Sequence, residues 1–474
     1  MQLYFVLIPL IALLVANLPI GPIGKKFAFP LAIVLAAAQS LASLLVPPDL
    51  FLGPASIFGS VTFAFTADRL SLLLILCVGI VSLAALSVAF GTIKPGDDRH
   101  RFSNLLILAL AGMNGAAMVR DLFSLYVFIE IVAVSSYILI AFGRERDGLE
   151  GSFKYLVLSA VATFMMLSSV ALFLLTTGNT SFEGVAAGLS SHERSWQTIL
   201  ATALFTGGLC IKAGLVPFHG WLPDAYSSAP PAVSVLLAGI VTKTTGVYAL
   251  MRLSGSVFGF GFNLDSVLIA IGLLSILVGA LAAIGQKDMK RMLAYSSLSQ
   301  VGYIILGLGA GSPLGIAAAS FHLFNHAIFK TQLFVNAAAV ERQVGTRNLD
   351  EMGGLSREMP VTSWSSVIAF LSAAGIPPLA GFWSKLLIVI AVWKAGQIPA
   401  AAVAVLASLI TLAYFLVLQR KAFFGKPVER PNPIKEAPLW LTVPAIALAL
   451  ITLGIGIFFP LIFDSIILPI ARIR

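Results

Sequence analysis

Apolar runs of about 20 residues, the length that crosses a bilayer as an α-helix, follow one another almost without pause from Leu3 to Leu468. In lipid, only helices and closed barrels satisfy their own backbone polar groups. Barrel strands are short and alternate in polarity, whereas stretches such as 70–93 and 267–285 are apolar on nearly every face. The sequence therefore predicts an all-α, polytopic membrane protein. At 58% hydrophobic and 11% charged over 474 residues, a water-soluble enzyme would have to expose large apolar patches, which soluble monomers avoid.

Apolar windows between charges predict fourteen transmembrane helices, near 3–21, 27–46, 70–93, 102–119, 122–142, 155–176, 198–226, 228–251, 266–285, 292–311, 313–338, 361–393, 399–419 and 438–463. The first has no positive charge before it and reads as a retained helix rather than a cleaved signal. Windows seven and twelve are too long for one span and contain Pro217, Pro223, Pro377 and Pro378. Each proline removes a backbone donor and clashes with the preceding turn, so both windows read as broken helices. Loops after odd-numbered windows hold 19 Lys and Arg against 7 in the other loops and tail. Basic loops stay in the cytoplasm, which predicts a multi-pass protein of a prokaryotic-type inner membrane with both termini outside. The net charge of +9 therefore reads as a topology signal; without a basic run interleaved with aromatics, nucleic acid is not an expected partner. Cys77 and Cys210 lie inside apolar spans, which offers no disulfide framework, cysteine metal site or iron–sulfur ligand set. No cofactor is predicted.

The segment Lys212-Ala-Gly-Leu-Val-Pro-Phe-His-Gly-Trp can be laid on Ala373-Ala-Gly-Ile-Pro-Pro-Leu-Ala-Gly-Phe at a constant offset of 161. Gly214/Gly375, Pro217/Pro378, Gly220/Gly381 and Trp221/Phe382 coincide. The copies are five spans apart, and an odd number reverses direction, which predicts two inverted five-helix repeats. Matched discontinuous helices in inverted halves point to a transporter's ion path, because freed backbone groups are tolerated only beside a wet cavity or within protein. The predicted organisation is an N-terminal three-helix segment (1–101), repeats at 102–252 and 264–426, and a C-terminal helix (438–474).

Within the spans the ionisable residues are Glu130, Lys212, Lys243, His322, His326, Lys330 and Lys385, with Asp121, His219 and Asp224 nearer to interfaces or breaks. A central lysine costs about 2.5 to 3.5 kcal/mol on insertion scales, so such a string is kept for pairing or for transport. Glu130 and Lys212 could form a packing ion pair or a transport couple. Lys243 and Lys385 have no carboxylate nearby in sequence. Lys330 lies towards the end of its span, where it could snorkel to the surface. His322 and His326 share a helix face; with no Cys or carboxylate nearby to complete a metal site, they read as neutral core residues or proton relays. Asp121 beside Arg120 reads as an interfacial pair and Asp224 as a cap of the seventh helix; both are also candidate gates. Burial disfavours an ammonium and a nearby carboxylate favours it. A carboxylate at about 4 Å is worth about 4 kcal/mol at an effective dielectric of 20. A proton crossing about 150 mV carries roughly 3.5 kcal/mol. The energies match.

In these residues the sequence resembles the antiporter-like membrane subunits shared by respiratory complex I, Mrp-type sodium/proton antiporters and energy-converting membrane-bound hydrogenases. The matching words are Asp121-Leu-Phe-Ser-Leu-Tyr-Val-Phe-Ile-Glu130, Lys212-Ala-Gly-Leu-Val-Pro-Phe-His-Gly-Trp-Leu-Pro-Asp224, Thr242-Lys243, Lys290-Arg-Met-Leu-Ala-Tyr-Ser-Ser297, His322-Leu-Phe-Asn-His326-Ala-Ile-Phe-Lys330 and Gly375-Ile-Pro-Pro-Leu-Ala-Gly-Phe-Trp-Ser-Lys385. The resemblance implies a hydrated polar axis through the middle of the membrane. In it Glu130 couples to a neighbouring subunit, Lys212 is the carrier it modulates, Lys243 with His322 or His326 is the central relay, and Lys385 is the terminal residue towards one exit. Lysine rather than glutamate at 385 resembles the D-type Mrp subunit, its hydrogenase counterpart and the corresponding complex I subunit.

The expected function is a proton-translocating subunit of a larger membrane complex, driven by redox chemistry in partner subunits or by exchange against sodium, with no covalent active site of its own. Its rivals are a self-sufficient sodium/proton antiporter, a quinone-binding redox subunit and a passive scaffold with a fossil ion path.

Overall fold

The computed structural model describes residues 3–18, 22–48, 50–57, 61–191, 195–259, 264–428 and 433–470. The end of the first predicted window and Arg194, Arg430, Arg472 and Arg474 of the topology count lie outside them. The chain is 84% helical. Nine helices among the described residues are long and apolar enough to cross a membrane, and Tyr4–Ala16, Pro360–Ala374 and Phe459–Ile470 are shorter apolar helices. Helices Asp97–Met118, Trp196–Ala213 and Pro313–Val344 are of similar length but richer in polar residues.

Two elements depart from an all-helix reading. Strands Leu50–Ile57 and Val61–Ala67 form an antiparallel hairpin between the second and third predicted helices, with an irregularity between Leu52 and Ala55. Gly53 and Pro54 fall there, and proline cannot donate to the ladder. The second strand, Val-Thr-Phe-Ala-Phe-Thr-Ala, alternates with period two, a strand signature that the long neighbouring apolar windows obscure. A short helix, Phe182–Ser191, follows helix Arg146–Thr177 and buries Phe182 and Val185.

Two helices have no lipid face. Every residue of Pro313–Val344 from Gly315 to Val340 is buried, and helix Pro231–Ser256 is enclosed along its apolar length. Between them they carry Lys243, His322, His326 and Lys330, so neighbouring helices rather than lipid surround these polar groups. Polar side chains at membrane depth are affordable in that setting. Ser312 caps the start of the first of these helices by accepting from Gly315 N, and Gly345, at φ 78°, ends it.

Elsewhere the chain is interrupted twice. Helix Trp196–Ala213 stops at Gly214 and helix begins again at Trp221–Ser228; helix Pro360–Ala374 stops at Gly375 and resumes at Ala380–Lys394. Gly214 and Gly375 both take the left-handed conformation, at φ 66° and 84°. There glycine has no Cβ penalty and lets the chain close a helix C-terminus. Leu215 N donates to Cys210 O and Ile376 N to Leu371 O, each at 3.0 Å. Pro217, Pro377 and Pro378 fall in the links, and the bonds before Pro217 and Pro378 are cis. Pro223 stands in the first turn of Trp221–Ser228, where backbone donors have no intrahelical acceptor, and it interrupts nothing.

Helices Leu264–Ile284 and Met289–Gly309 touch along glycines. A Cβ on Gly279 would lie 2.5 Å from Ser299 N, and one on Gly302 would lie 2.7 Å from Gly272 O. Both obstacles are backbone, which cannot turn aside as a side chain can. Substituting Gly279→Leu is expected to lower stability by about 1–3 kcal/mol or more, as overpacking does. A melting temperature in detergent unchanged from the parent protein would refute that close approach.

Candidate functional site: the buried lysines

Among the described residues, five lysines, Lys212, Lys243, Lys290, Lys330 and Lys385, are buried, against two buried carboxylates, Asp68 and Asp121. Few of these cations can have an acidic partner. Burying an unpaired charge is costly, so each position depends on what its ammonium touches.

Lys212 lies on the last turn of helix Trp196–Ala213. Its Nζ donates to Glu130 Oε1 at 2.7 Å and to Ser159 Oγ at 2.6 Å. The lysine side chain is fully buried, while the Glu130 side chain keeps 25% exposure. One partner of the pair therefore sits in the interior and the other reaches the protein's edge. Helix Pro231–Ser256 approaches this turn closely: a Cβ on Gly246 would lie 2.3 Å from Ala213 N. Three residues before Gly246 stands Lys243, in a stretch of π-type turns. Its ammonium donates to the Ala238 carbonyl and lies 6.0 Å from the Tyr226 ring centre. Tyr226 is held by Leu237 O and Thr242 Oγ1.

On helix Pro313–Val344, His322, His326 and Lys330 recur at four-residue spacing, which puts them on one face. The His322 and His326 ring centres are 6.5 Å apart. His322 Nδ1 is 2.8 Å from Ser384 Oγ, beside Lys385. Lys330 donates to Ser296 Oγ and to Leu293 O and does not reach the surface, since it is fully buried. Lys385 bridges the second interruption by donating to Ala373 O at 2.7 Å. It also lies 4.4 Å from the Tyr303 ring centre, a cation–π distance. In the first interruption the equivalent task falls to Trp221, whose Nε1 donates to Ile211 O at 3.1 Å.

The remaining candidates stand apart. Asp121 does not pair with its neighbour Arg120. It caps helix Leu122–Ile140 by accepting from Ser124 N, and Arg120 turns instead to Asp68. Asp224 does not cap the resumed helix, whose N-cap is Gly220. It pairs with Lys154 at 2.7 Å and Arg291 at 2.6 Å, tying three helices at the end that carries the basic loops. His219 lies half-buried in the first interruption. No group of three or more potential metal ligands occurs among the described residues.

Several contributors carry no mark in the sequence. Ser159, Ser296 and Ser384 contact the lysines or histidines, and a lone serine inside an apolar window carries no signal of its own. Lys290 is buried and donates to Ala229 O at 2.8 Å, although its place before an apolar window reads as a loop charge. An open cleft of about 880 Å³ at the same end reaches Ala229, Pro231 and Lys290.

Residues 119–411 match the family described as NADH:quinone oxidoreductase/Mrp antiporter, TM. The chain belongs to that family. It is an antiporter-like integral membrane protein. It is 36% identical over 390 residues to the D-type subunit of a Na(+)/H(+) antiporter of Alkalihalophilus pseudofirmus, covering 81% of this chain and 79% of the relative. It is 37% identical over 396 residues to the N-type subunit of an NADH-quinone oxidoreductase of Desulforudis audaxviator, with coverages of 81% and 79%. A chain in the structure of the Mrp complex from Dietzia sp. superposes with a TM-score of 0.90 at 28% identity, covering 99% of this chain and 96% of that one.

The peripheral pairs are separable from the buried lysines. Because Asp224, Lys154 and Arg291 are all partly exposed, Asp224→Asn is expected to cost no more than about 1 kcal/mol. Thermal unfolding in detergent measures it, and a collapse comparable to that of a core glycine substitution would contradict this reading.

Proposed function

We propose that the chain is the proton-translocating, antiporter-like subunit of a multisubunit membrane complex, with Glu130, Lys212, Lys243, His322, His326, Lys330 and Lys385 as its proton path. The observation that carries this reading is the contrast along the line. Lys212 has a carboxylate at 2.7 Å on a separate helix, while Lys243, Lys330 and Lys385 have no acidic partner among the described residues and rest on carbonyls and hydroxyls. A carboxylate that approaches or withdraws from an enclosed ammonium changes its protonation energy by an amount comparable to that of a proton crossing an energised membrane. Glu130, whose side chain reaches the protein's edge, is the member that a neighbouring subunit can move.

The two interruptions belong to inverted five-helix repeats in a fourteen-helix plan. Their matched glycine caps and their offset of 161 residues support that symmetry. Both termini face outward and the cleft beside Lys290 faces the cytoplasm, as the distribution of basic loops supports. The relatives named as antiporter and quinone oxidoreductase subunits support a partnered subunit, with the driving force supplied by sodium exchange or by redox chemistry in other chains.

The test is proton uptake by the assembled complex in proteoliposomes. Lys212→Ala is expected to abolish driven uptake while the complex still assembles. Glu130→Gln, which keeps size and loses charge, is expected to slow uptake at least about tenfold, the equivalent of about 1.4 kcal/mol in a barrier. Driven uptake at the parent rate in an assembled Lys212→Ala complex would leave the chain a scaffold.

A further inference from the structure

A second buried charge cluster lies outside the proposed path. Asp68, immediately before helix Arg69–Thr92, accepts from Ser71 N at 2.9 Å. Arg252, near the end of helix Pro231–Ser256, grips both oxygens of that carboxylate, Nη2 to Oδ1 at 2.8 Å and Nη1 to Oδ2 at 2.5 Å. The two side chains are each 4% exposed. Arg120 Nη2 adds a longer contact to Oδ2 at 3.4 Å and is 15% exposed. Tyr248 completes the cluster: Arg252 Nη2 donates to its Oη at 2.8 Å, and its hydroxyl donates to Ala117 O.

The placement matters because of what shares the helix. Thr244, Tyr248 and Arg252 recur at four-residue spacing, which puts them on one face, and Thr244 adjoins Lys243 in the chain. A polar face thus runs from Thr244, the residue after Lys243, to the end of the protein opposite the basic loops, and the Asp68 cluster lies across its far end. A carrier lysine reachable by water from both ends at once would short-circuit the gradient it works against. Guanidinium groups keep their charge, and this contact set holds two of them on one carboxylate. An excess of fixed positive charge in a narrow polar passage excludes cations, as arginine does in water-selective pores.

We propose that Arg252, locked by Asp68 and backed by Arg120, is an insulating plug that bars hydronium and alkali cations from reaching Lys243 through this end of the protein. The proposal rests on the proton-path reading and adds a specificity-determining residue to it. Asp68 sets the guanidinium's position, and Arg252 supplies the charge. A purely structural ion pair predicts a change in assembly or melting alone; a plug predicts a change in passive permeability.

The experiment measures the passive decay of an imposed pH gradient, with no driving reaction, in proteoliposomes holding the assembled complex. Arg252→Gln is expected to raise passive proton permeability about tenfold or more, and Arg252→Lys, which keeps the charge, is expected to stay within about twofold of the parent. Parent-like tightness in an assembled Arg252→Gln complex overturns the plug, as does equal leakage in both variants. If Arg252→Gln does not assemble, Arg120→Gln decides: it removes the excess charge and leaves the Asp68–Arg252 grip intact, and the same gradient must then decay faster than in the parent. Because the measurement needs no driven transport, its failure is distinguishable from failure of the proton path, which Lys212→Ala tests separately.

Discussion

The cost of holding a lysine away from water governs this architecture. Lipid offers an ammonium nothing, so Lys243 and Lys330 sit on helices ringed by other helices, and each spends its donors on carbonyls or hydroxyls. Enclosing the middle of two helices requires several others around them. It also requires those others to pack closely, which is where the glycines of Leu264–Ile284 and Met289–Gly309 enter. The charge string and the small-residue contacts are one problem solved at two levels.

The two interruptions answer the same cost differently. A helix that stops leaves its last carbonyls without intrahelical partners. In the first, Trp221 reaches back to Ile211; in the second, Lys385 reaches back to Ala373. A neutral indole donor serves only the backbone, whereas an ammonium serves the backbone and brings a titratable group into the break. The two links share a left-handed glycine and differ in the chemistry placed around it: the first has its lysine before the glycine, at Lys212, and the second has it after, at Lys385.

Much of this is legible in the sequence because membrane burial makes charges conspicuous. Each lysine within the predicted spans stands out against an apolar run, and Pro217 and Pro378 are visible at matching offsets. What escapes notice lies at window edges, where a charge is ordinary. Arg252 and Asp68 stand just outside the apolar windows 228–251 and 70–93, and only the fold brings them together. Asp224 reads as a local cap although its partners, Lys154 and Arg291, are distant in sequence. The hairpin is hidden for another reason: its alternation is brief, and the apolar content on either side swamps a period of two.

The contact between Gly246 and the backbone at Ala213 has a mechanical consequence. Between most neighbouring helices, side chains act as a compliant layer that absorbs small displacements by changing rotamer. Here main chain bears directly on main chain, with Lys212 next to one bearing surface and Lys243 three residues from the other. Any shift of one helix end is therefore handed to its neighbour without backlash, as between two gears cut to mesh with no play.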